Sequence, residues 1–212
     1  MEDSVNPYYS DAAVTIYLGD CRDVLPGLEP VDLVLTDPPY GIGRDGQAQS
    51  TGTHGGRKGY AFGGWDAQRP AAATFMQILG AAPKQIIWGG NYFADLLPVS
   101  QRWLVWDKGQ RINQSDGELA WTSMPGTLRI WTLNRVALAQ DGACHPTQKP
   151  LELMSWCLSF VPDARTVLDP FCGSGTTLMA AKNDGRRAIG IEINERYCEI
   201  AAERCRQEVL AL

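Results

Sequence analysis

The chain consists of short apolar runs that alternate with segments in which apolar residues recur every three or four positions. The short runs predict β-strands at residues 14–18, 31–36, 85–88, 103–106, 128–133, 166–168 and 188–191. The periodic segments predict helices at 71–81, 151–160, 176–183 and 195–210. This alternation is typical of an α/β fold with a mostly parallel central sheet and helices on both faces.

One segment departs from the alternation. Residues 41–64 contain nine glycines and few apolar anchors. A loop of this length within a domain is either functional or without fixed structure. Its place directly after Tyr40 favours a substrate-gripping loop, with an unstructured insertion as the alternative. No linker divides the chain, so we expect a single domain over residues 1–212, with a small recognition segment at 109–135.

The predicted strand 31–36 ends in the motif Asp37-Pro38-Pro39-Tyr40. Two consecutive prolines remove backbone donors and fix the direction of the chain, so they disfavour further sheet pairing. Taken alone, the motif equally describes a rigid loop at a sheet edge. A second motif changes this interpretation.

The predicted strand 166–168 leads into a glycine-rich turn and a helix. Its residues are Asp169, Pro170, Phe171, Cys172, Gly173, Ser174, Gly175, Thr176 and Thr177. Glycines let a ligand approach the backbone, and the helix start offers N–H donors. Asp169 would repel a pyrophosphate, so a cationic ligand without phosphates, such as S-adenosylmethionine, suits the turn better.

Glu192 follows the predicted strand 188–191, about twenty residues after the glycine-rich turn. An acid at this point can accept hydrogen bonds from both hydroxyls of a ribose. The alternative is a charge that stabilises the start of the last helix. Because ligands of such sheets bind beyond the carboxyl ends of the strands, both motifs are expected to share one crevice.

Composition narrows the classes of protein that remain. The 212 residues are 44% hydrophobic and 20% charged, as in ordinary globular proteins. The net charge of −5 disfavours a protein that coats nucleic acid. No apolar run reaches the ~18 residues that span a bilayer, and the polar, acidic start is no secretory signal, so we expect cytoplasmic residence.

Cysteine and histidine usage argues against a metal site. The six cysteines show no Cys-x-x-Cys spacing, and there are two histidines. We therefore expect free thiols and no metal. Cys172 is either a nucleophile or a small residue in a tight turn, and the second is favoured because no base lies near it in sequence.

The combination of motifs resembles the DNA amino-methyltransferases. Residues 169–177 resemble their motif I, and Asp37 to Tyr40 resemble their motif IV. Residues 145–151 (HPTQKPL) resemble the motif that closes over the methionine moiety of the cofactor. Residues 18–21 (LGDC) resemble the motif whose acid contacts the adenine of the cofactor. The order of the motifs is that of the β-group, and residues 87–93 and 106–108 also resemble small phage- or prophage-type members.

The resemblance implies a Rossmann-like fold, the cofactor S-adenosylmethionine and a set of site residues. Those implied to be catalytic are Asp37, Pro38, Pro39 and Tyr40. Those implied to bind the cofactor are Asp20, Cys21, Asp37, Thr147, Gln148, Lys149, Asp169, Phe171, Cys172, Gly173, Ser174, Gly175, Thr176, Thr177, Glu192 and Ile193. Residues suggested to contact DNA are Arg44, Arg57, Lys58, Arg111 and Asn113.

The resemblance also implies the reaction. The Asp37 carboxylate and the Pro38 carbonyl would hold the amino group of a flipped-out base in double-stranded DNA, and Tyr40 would stack on that base. Asp as the first motif residue favours adenine N6 over cytosine N4. An RNA or protein-glutamine substrate and a catalytically idle DNA-binding regulator stay open as alternatives. A homodimer and a cognate restriction endonuclease also stay open as partners.

Overall fold

The computed structural model describes residues 6–43, 64, 66–109, 115–133 and 149–206. Within them nine strands lie at Tyr9–Ser10 (β1), Val14–Leu18 (β2), Leu33–Thr36 (β3), Lys84–Trp88 (β4), Trp103–Asp107 (β5), Gly117–Thr122 (β6), Arg129–Thr132 (β7), Thr166–Asp169 (β8) and Arg187–Glu192 (β9). Helices lie at Cys21–Val24 (α1), Ala72–Gly80 (α2), Leu151–Leu158 (α3), Thr176–Asn183 (α4) and Glu195–Arg206 (α5), with 3-10 turns at Leu25–Gly27 and Gly90–Tyr92.

The strands form one sheet in the order β1-β2-β9-β8-β3-β4-β6-β5-β7. Five neighbouring pairs are parallel: β2 with β9, β9 with β8, β8 with β3, β3 with β4, and β5 with β7. The antiparallel pairs involve β1 and β6. The predicted mostly parallel sheet is confirmed.

The sequence pattern did not predict β1, β6 or α1. Strand β6 lies antiparallel between β4 and β5, and its first three residues are half-buried while its last three are buried. It therefore lacks the alternation of a one-faced strand and the continuous apolar run of a central parallel strand. Tertiary pairing on both edges stabilises it.

Alternate residues of the central strands pack on opposite faces of the sheet. In β3, Leu33 and Leu35 belong to the core that includes residues of α3, α4 and α5. Val34 belongs to the core that includes residues of α1 and α2. All three side chains are fully buried, which explains why β3 reads as a continuous apolar run. The predicted helices on both faces are confirmed.

The connections diverge at the centre of the sheet. From β3 the chain passes through α2 to β4 on one side, and from β8 it passes through α4 to β9 on the other. Because β3 and β8 are parallel neighbours, their carboxyl ends lie side by side where the two connections separate. Such a switch point leaves a crevice in which α/β proteins bind ligands. Both motifs follow these two strands.

Asp32 joins the starts of β3 and β8. One oxygen of its carboxylate accepts hydrogen bonds from the Arg165 N–H (2.7 Å) and from the N–H and hydroxyl of Thr166 (2.8 and 2.9 Å). These bonds, led by that from the Arg165 backbone, lower the pKa of Asp32. They fix the alignment of the two strands whose far ends carry the motifs.

We expect Asp32→Ala to lower the free energy of unfolding by about 1–2 kcal/mol, because it leaves the partly buried Thr166 N–H and the exposed Arg165 N–H without their acceptor. Since the folded protein holds this pKa below its ordinary value of about 4, the wild-type contribution is complete at neutral pH. It should be lost as the pH falls through the lowered pKa. Urea unfolding measured between pH 7 and pH 3 tests both expectations.

Asp163→Ala is the matched control. Asp163 forms an exposed ion pair with Lys84 (2.7 Å), with 73% of its side chain accessible. Such an exposed pair contributes little to stability, because solvent screens it. Equal losses in the two variants would contradict the role assigned to Asp32.

Candidate active site

Asp37 directly follows β3 and accepts a hydrogen bond on each carboxylate oxygen. The Tyr40 hydroxyl donates to Oδ1 (2.5 Å), and the Lys149 ammonium donates to Oδ2. The side chain of Asp37 keeps 22% of its surface accessible. Burial raises its pKa, and the hydrogen bonds from Lys149 and Tyr40 oppose this rise. The first motif therefore forms a compact, charged corner at the carboxyl end of β3.

Lys149 belongs to a row of four charged side chains, of which the two lysines are buried. Its Nζ also lies 3.0 Å from Glu118 Oε2, and Lys108 Nζ lies 2.6 Å from Glu118 Oε1. Both lysine side chains are 5% exposed. Burial alone would raise the pKa of Glu118, but the two ammonium groups lower it to about 2. Burial would lower the pKa of Lys149, but Asp37 and Glu118 raise it well above its ordinary value. Glu118 and Lys149 are thus held in their charged forms.

Three of the residues around Asp37 were not predicted as site residues: Lys108, Glu118 and Tyr92. Lys108 and Glu118 are ordinary charged residues in sequence, and only the pairing of β5 with β6 brings them to Lys149. A signal for Tyr92 was present in the Gly89-Gly90 pair that precedes it.

The ring of Tyr40 lies in an aromatic cluster. The Tyr92 ring stacks on it at 4.7 Å between centroids and 15° between planes, and Phe93 meets it edge-on at 6.1 Å. Gly89 has φ +70°, and a Cβ there would lie 2.0 Å from Tyr40 Cε1. Tyr40 was predicted to offer a flat face for stacking on a base; in this structure one face contacts Tyr92, which is 39% exposed.

The second motif forms a tight turn between β8 and α4. Gly175 has φ +80°, and a Cβ there would lie 2.9 Å from the Ala201 Cβ. The Gly173 N–H donates to Glu192 Oε2 (3.0 Å), and the Asn194 N–H donates to Glu192 Oε1 (2.8 Å). Glu192 thus orients the glycine turn. Glu192 is partly exposed, and its carboxylate lies beside this turn.

Cys172 lies buried under the same turn. A Cβ on Gly190 would lie 2.8 Å from its sulfur. Burial raises the pKa of the Cys172 thiol well above its ordinary value, so the thiolate that a nucleophile needs is disfavoured. The geometry favours the interpretation of Cys172 as a small packing residue.

Asp169 connects the two motifs. The Thr36 hydroxyl, at the end of β3, donates to its Oδ1 (2.6 Å), and the Phe171 N–H donates to the same oxygen (3.1 Å). Burial raises the pKa of Asp169 to about 6, and the hydroxyls of Thr36 and Thr177 limit the rise. A buried carboxylate of this kind favours a cationic ligand.

Of the remaining predicted cofactor residues, Asp20 and Cys21 lie next to β2, whereas Ser174 and Thr176 contact a side chain of α5. Asp20 caps α1 through the Arg22 N–H (2.9 Å), and the backbone bond from Gly19 to the Glu192 carbonyl (2.9 Å) keeps it at the same sheet edge. Cys21 is buried, which raises its pKa to about 11. The hydroxyls of Ser174 and Thr176, by contrast, lie 3.1 and 3.4 Å from the Arg204 guanidinium of α5.

Four acids lie along one edge of the sheet, because they follow or end four adjacent strands in the order β2, β9, β8 and β3. They are Asp20, Glu192, Asp169 and Asp37. Ile193, beside Glu192, exposes 64% of its apolar side chain. Several predicted residues lie outside the described part of the chain: Thr147, Gln148, Arg44, Arg57, Lys58, Arg111 and Asn113.

The described residues contain neither a metal-binding cluster nor a membrane-spanning helix. No group of three or more His, Cys, Asp or Glu side chains there is arranged to hold a metal ion. The five cysteines in this part of the chain are free. In the same residues, no helix has the length and apolar character that a membrane span requires.

Sequence comparisons place the chain among DNA methylases. A family model described as DNA methylase (N6_N4_Mtase) matches residues 100–203. The type II methyltransferase M.HinfI of Haemophilus influenzae is 26% identical over 98% of this chain and 71% of its own length. M.HindIII, from the same species, is 41% identical, over 40% of this chain and 28% of its own length.

Solved structures show the same fold. The M1.HpyAVI complex with S-adenosylmethionine superposes with a TM-score of 0.62 at 22% identity, covering 92% of this chain and all of that one. PvuII DNA methyltransferase, which is cytosine-N4-specific, gives 0.62 at 17% identity, covering 97% and 90%. The predicted Rossmann-like fold is confirmed. The match to the DNA methylase model over residues 100–203 and the similarity to M.HinfI over 98% of this chain support assignment of the chain to the DNA amino-methyltransferase family.

Proposed function

We propose that the protein transfers a methyl group from S-adenosylmethionine to the N6 amino group of a flipped-out adenine in DNA. The observation that carries the proposal is the placement of Asp37 and Asp169 at the ends of adjacent parallel strands, joined through the Thr36 hydroxyl. In this proposal Asp37 binds the amine that accepts the methyl group, and Asp169 binds the cationic methyl donor. Membership of the DNA methylase family supports DNA as the substrate class.

Asp37 and the Pro38 carbonyl would hold the two N–H bonds of the target amine. The lone pair of this nitrogen is delocalised into the base, so two fixed acceptors help to bring it toward tetrahedral geometry and stabilise the developing positive charge. Pro38 fixes the direction of its own carbonyl. Flipping the base out costs a few kcal/mol, and stacking on Tyr40 would offset about 1–3 kcal/mol of it.

The residues present fit S-adenosylmethionine, which supplies a methyl group on a sulfonium. Asp169 suits the ammonium of its methionine part, and Glu192 suits the ribose hydroxyls. Asp20 lies one strand further along the sheet edge, where it suits the adenine, and the exposed Ile193 offers an apolar contact beside it. Gly173 leaves the backbone open to close approach, since a Cβ there would meet nothing within 4 Å, whereas Gly175 packs against Ala201. M1.HpyAVI, which has the same fold, was solved with this cofactor.

The choice of base rests on the first motif. Asp37 as its first residue favours adenine, whereas the fold itself does not discriminate, since the cytosine-N4-specific PvuII enzyme shares it. Cytosine N4 is therefore the second candidate. Transfer to RNA or to a protein glutamine, and a regulator without activity, are the more distant alternatives.

The proposal includes a single catalytic domain over residues 1–212, with DNA contacts from the loop at 41–64 and the segment at 109–135. The residues expected to make these contacts are Arg44, Arg57, Lys58, Arg111 and Asn113. Thr147 and Gln148 would close over the methionine moiety, whereas the neighbouring Lys149 ammonium is held by Asp37 and Glu118. Cytoplasmic residence, a homodimer and a cognate restriction endonuclease accompany the proposal as expectations.

The deciding experiment is transfer of labelled methyl from S-adenosylmethionine to unmethylated genomic DNA, followed by mass spectrometry of the nucleosides. N6-methyladenine is the expected product. N4-methylcytosine would keep the mechanism and reverse the base. A folded protein that methylates neither base would overturn the proposal, and label sensitive to ribonuclease or protease would assign the substrate to RNA or protein.

Asp37→Ala should lower methyl transfer by at least about 10²–10³-fold, because it removes a fixed acceptor for the target amine. Cofactor affinity, measured by calorimetry, should change little. Asp37→Asn keeps the shape and one acceptor oxygen, and serves as the matched control for folding. Turnover at the wild-type rate in Asp37→Ala would refute the assigned role.

Cofactor affinity should weaken as the pH falls through about 6. The free protein has a raised pKa at Asp169, and only the carboxylate form attracts an ammonium. Below this pKa the affinity should therefore fall by about tenfold per pH unit. Calorimetric titrations from pH 8 to pH 5 measure this slope.

Asp169→Asn is the companion variant. It should bind the cofactor weakly at all these pH values, while its melting temperature without ligand stays equal or rises because a buried charge is removed. A pH-independent affinity in the wild type would show that Asp169 does not contact the ammonium.

A further inference from the structure

Both oxygens of Asp37 already accept hydrogen bonds from the protein itself. Tyr40 occupies Oδ1, and the Lys149 ammonium occupies Oδ2. A carboxylate has about four lone-pair sites, so a target amine can still bind. The Lys149 ammonium nevertheless offsets part of the negative potential of Asp37. Asp37 is the group that must stabilise the positive charge developing on the amine.

Lys149 has a second carboxylate within reach. Glu118 Oε2 lies 3.0 Å from its Nζ, and Glu118 is itself fixed by Lys108 through Oε1 (2.6 Å). Lys108 follows β5, Glu118 lies in β6 and Lys149 precedes α3, so three separate elements converge on this row. Their arrangement is not a product of local sequence.

The charges in the row alternate in sign: Lys108, Glu118, Lys149 and Asp37. A buried ammonium with a single carboxylate partner is tied to that partner, because separation leaves both charges uncompensated. Because Glu118 is a second carboxylate at hydrogen-bonding distance, the Lys149 ammonium can weaken its contact with Asp37 while it strengthens its contact with Glu118. Lys108 then compensates the charge at the far end.

We propose that Glu118 is a positioning residue for methyl transfer, because it takes up the Lys149 ammonium when Asp37 accepts the target amine. This inference rests on the proposed function. Without Glu118, Lys149 would depend on Asp37 alone, and the carboxylate would be shared with a permanent cation during the reaction. Glu118 need not touch the substrate, since it acts through Lys149.

The test is Glu118→Gln, compared with the wild type in single-turnover methyl transfer at saturating cofactor and unmethylated DNA from pH 5 to pH 9. We expect the rate at pH 8 to fall by about 10–100-fold, less than the 10²–10³-fold typical of a direct transition-state contact, because Glu118 acts through Lys149. The calorimetric dissociation constant of S-adenosylmethionine should stay within about threefold, since the variant affects transfer and not cofactor binding.

The pH profile separates positioning from simple stabilisation. The charged or titratable groups around Asp37 are Lys149, Tyr40, Glu118 and Asp169. Glu118 adds negative charge, which raises the pKa of Asp37. Its removal should therefore move the acid limb of the rate profile to lower pH, even as the plateau falls. A purely structural role would reduce the folded fraction without moving this limb.

Two further variants sharpen the result. Glu152→Gln makes the same chemical change at an exposed site in the first turn of α3, and it should leave rate and profile unchanged. Lys108→Met combined with Glu118→Gln removes one charge of each sign, so thermal stability should recover toward that of the wild type while transfer stays slow. Recovery of the rate together with stability would overturn the positioning role.

The two proposals fail in different ways. A folded wild-type protein that transfers no methyl to DNA would overturn the proposed function, and this inference with it. Wild-type transfer with an unchanged rate and profile in Glu118→Gln would overturn the inference alone.

Discussion

The pairing of β3 with β8 is the contact on which the site depends. Asp32 joins the two strands at one end, and the hydrogen bond from Thr36 to Asp169 joins them at the other. Between these ties the strands are parallel neighbours with buried side chains. Because their connections run in opposite directions, the carboxyl ends of these strands form the kind of switch point at which α/β sheets bind ligands. The two acids at this edge therefore face a common crevice.

The carboxylates at this edge of the sheet are partly or fully buried, and each of them accepts hydrogen bonds from the protein. Glu192 binds the backbone of the glycine turn, Asp37 binds Lys149 and Tyr40, and Asp169 accepts from Thr36. Burial still raises the pKa of Asp169 to about 6. This is the pattern of a site that gives up stability in the free protein in order to attract a cationic ligand.

The row from Lys108 to Asp37 extends this electrostatic design to the antiparallel half of the sheet. Strand β6 is inserted between β4 and β5, and it carries Glu118 to the Lys149 ammonium. The antiparallel half thus contributes a carboxylate to the charged groups around Asp37. A change at Glu118 would alter the charge around Asp37 through two ion pairs, since Lys149 contacts both carboxylates.

The amino-acid sequence by itself determined the alternating elements, the α/β class and both motifs. Local chemistry decides these features, since apolar runs specify buried strands and Gly or Pro specify turns; β2 and α4 begin and end where the pattern predicts. Only the tertiary structure decided the placement of Lys149 on Asp37, the stacking of Tyr92 on Tyr40 and the place of Glu118. The physical reason is that these contacts join residues distant in sequence, so their charges and rings acquire partners only once the strands have paired.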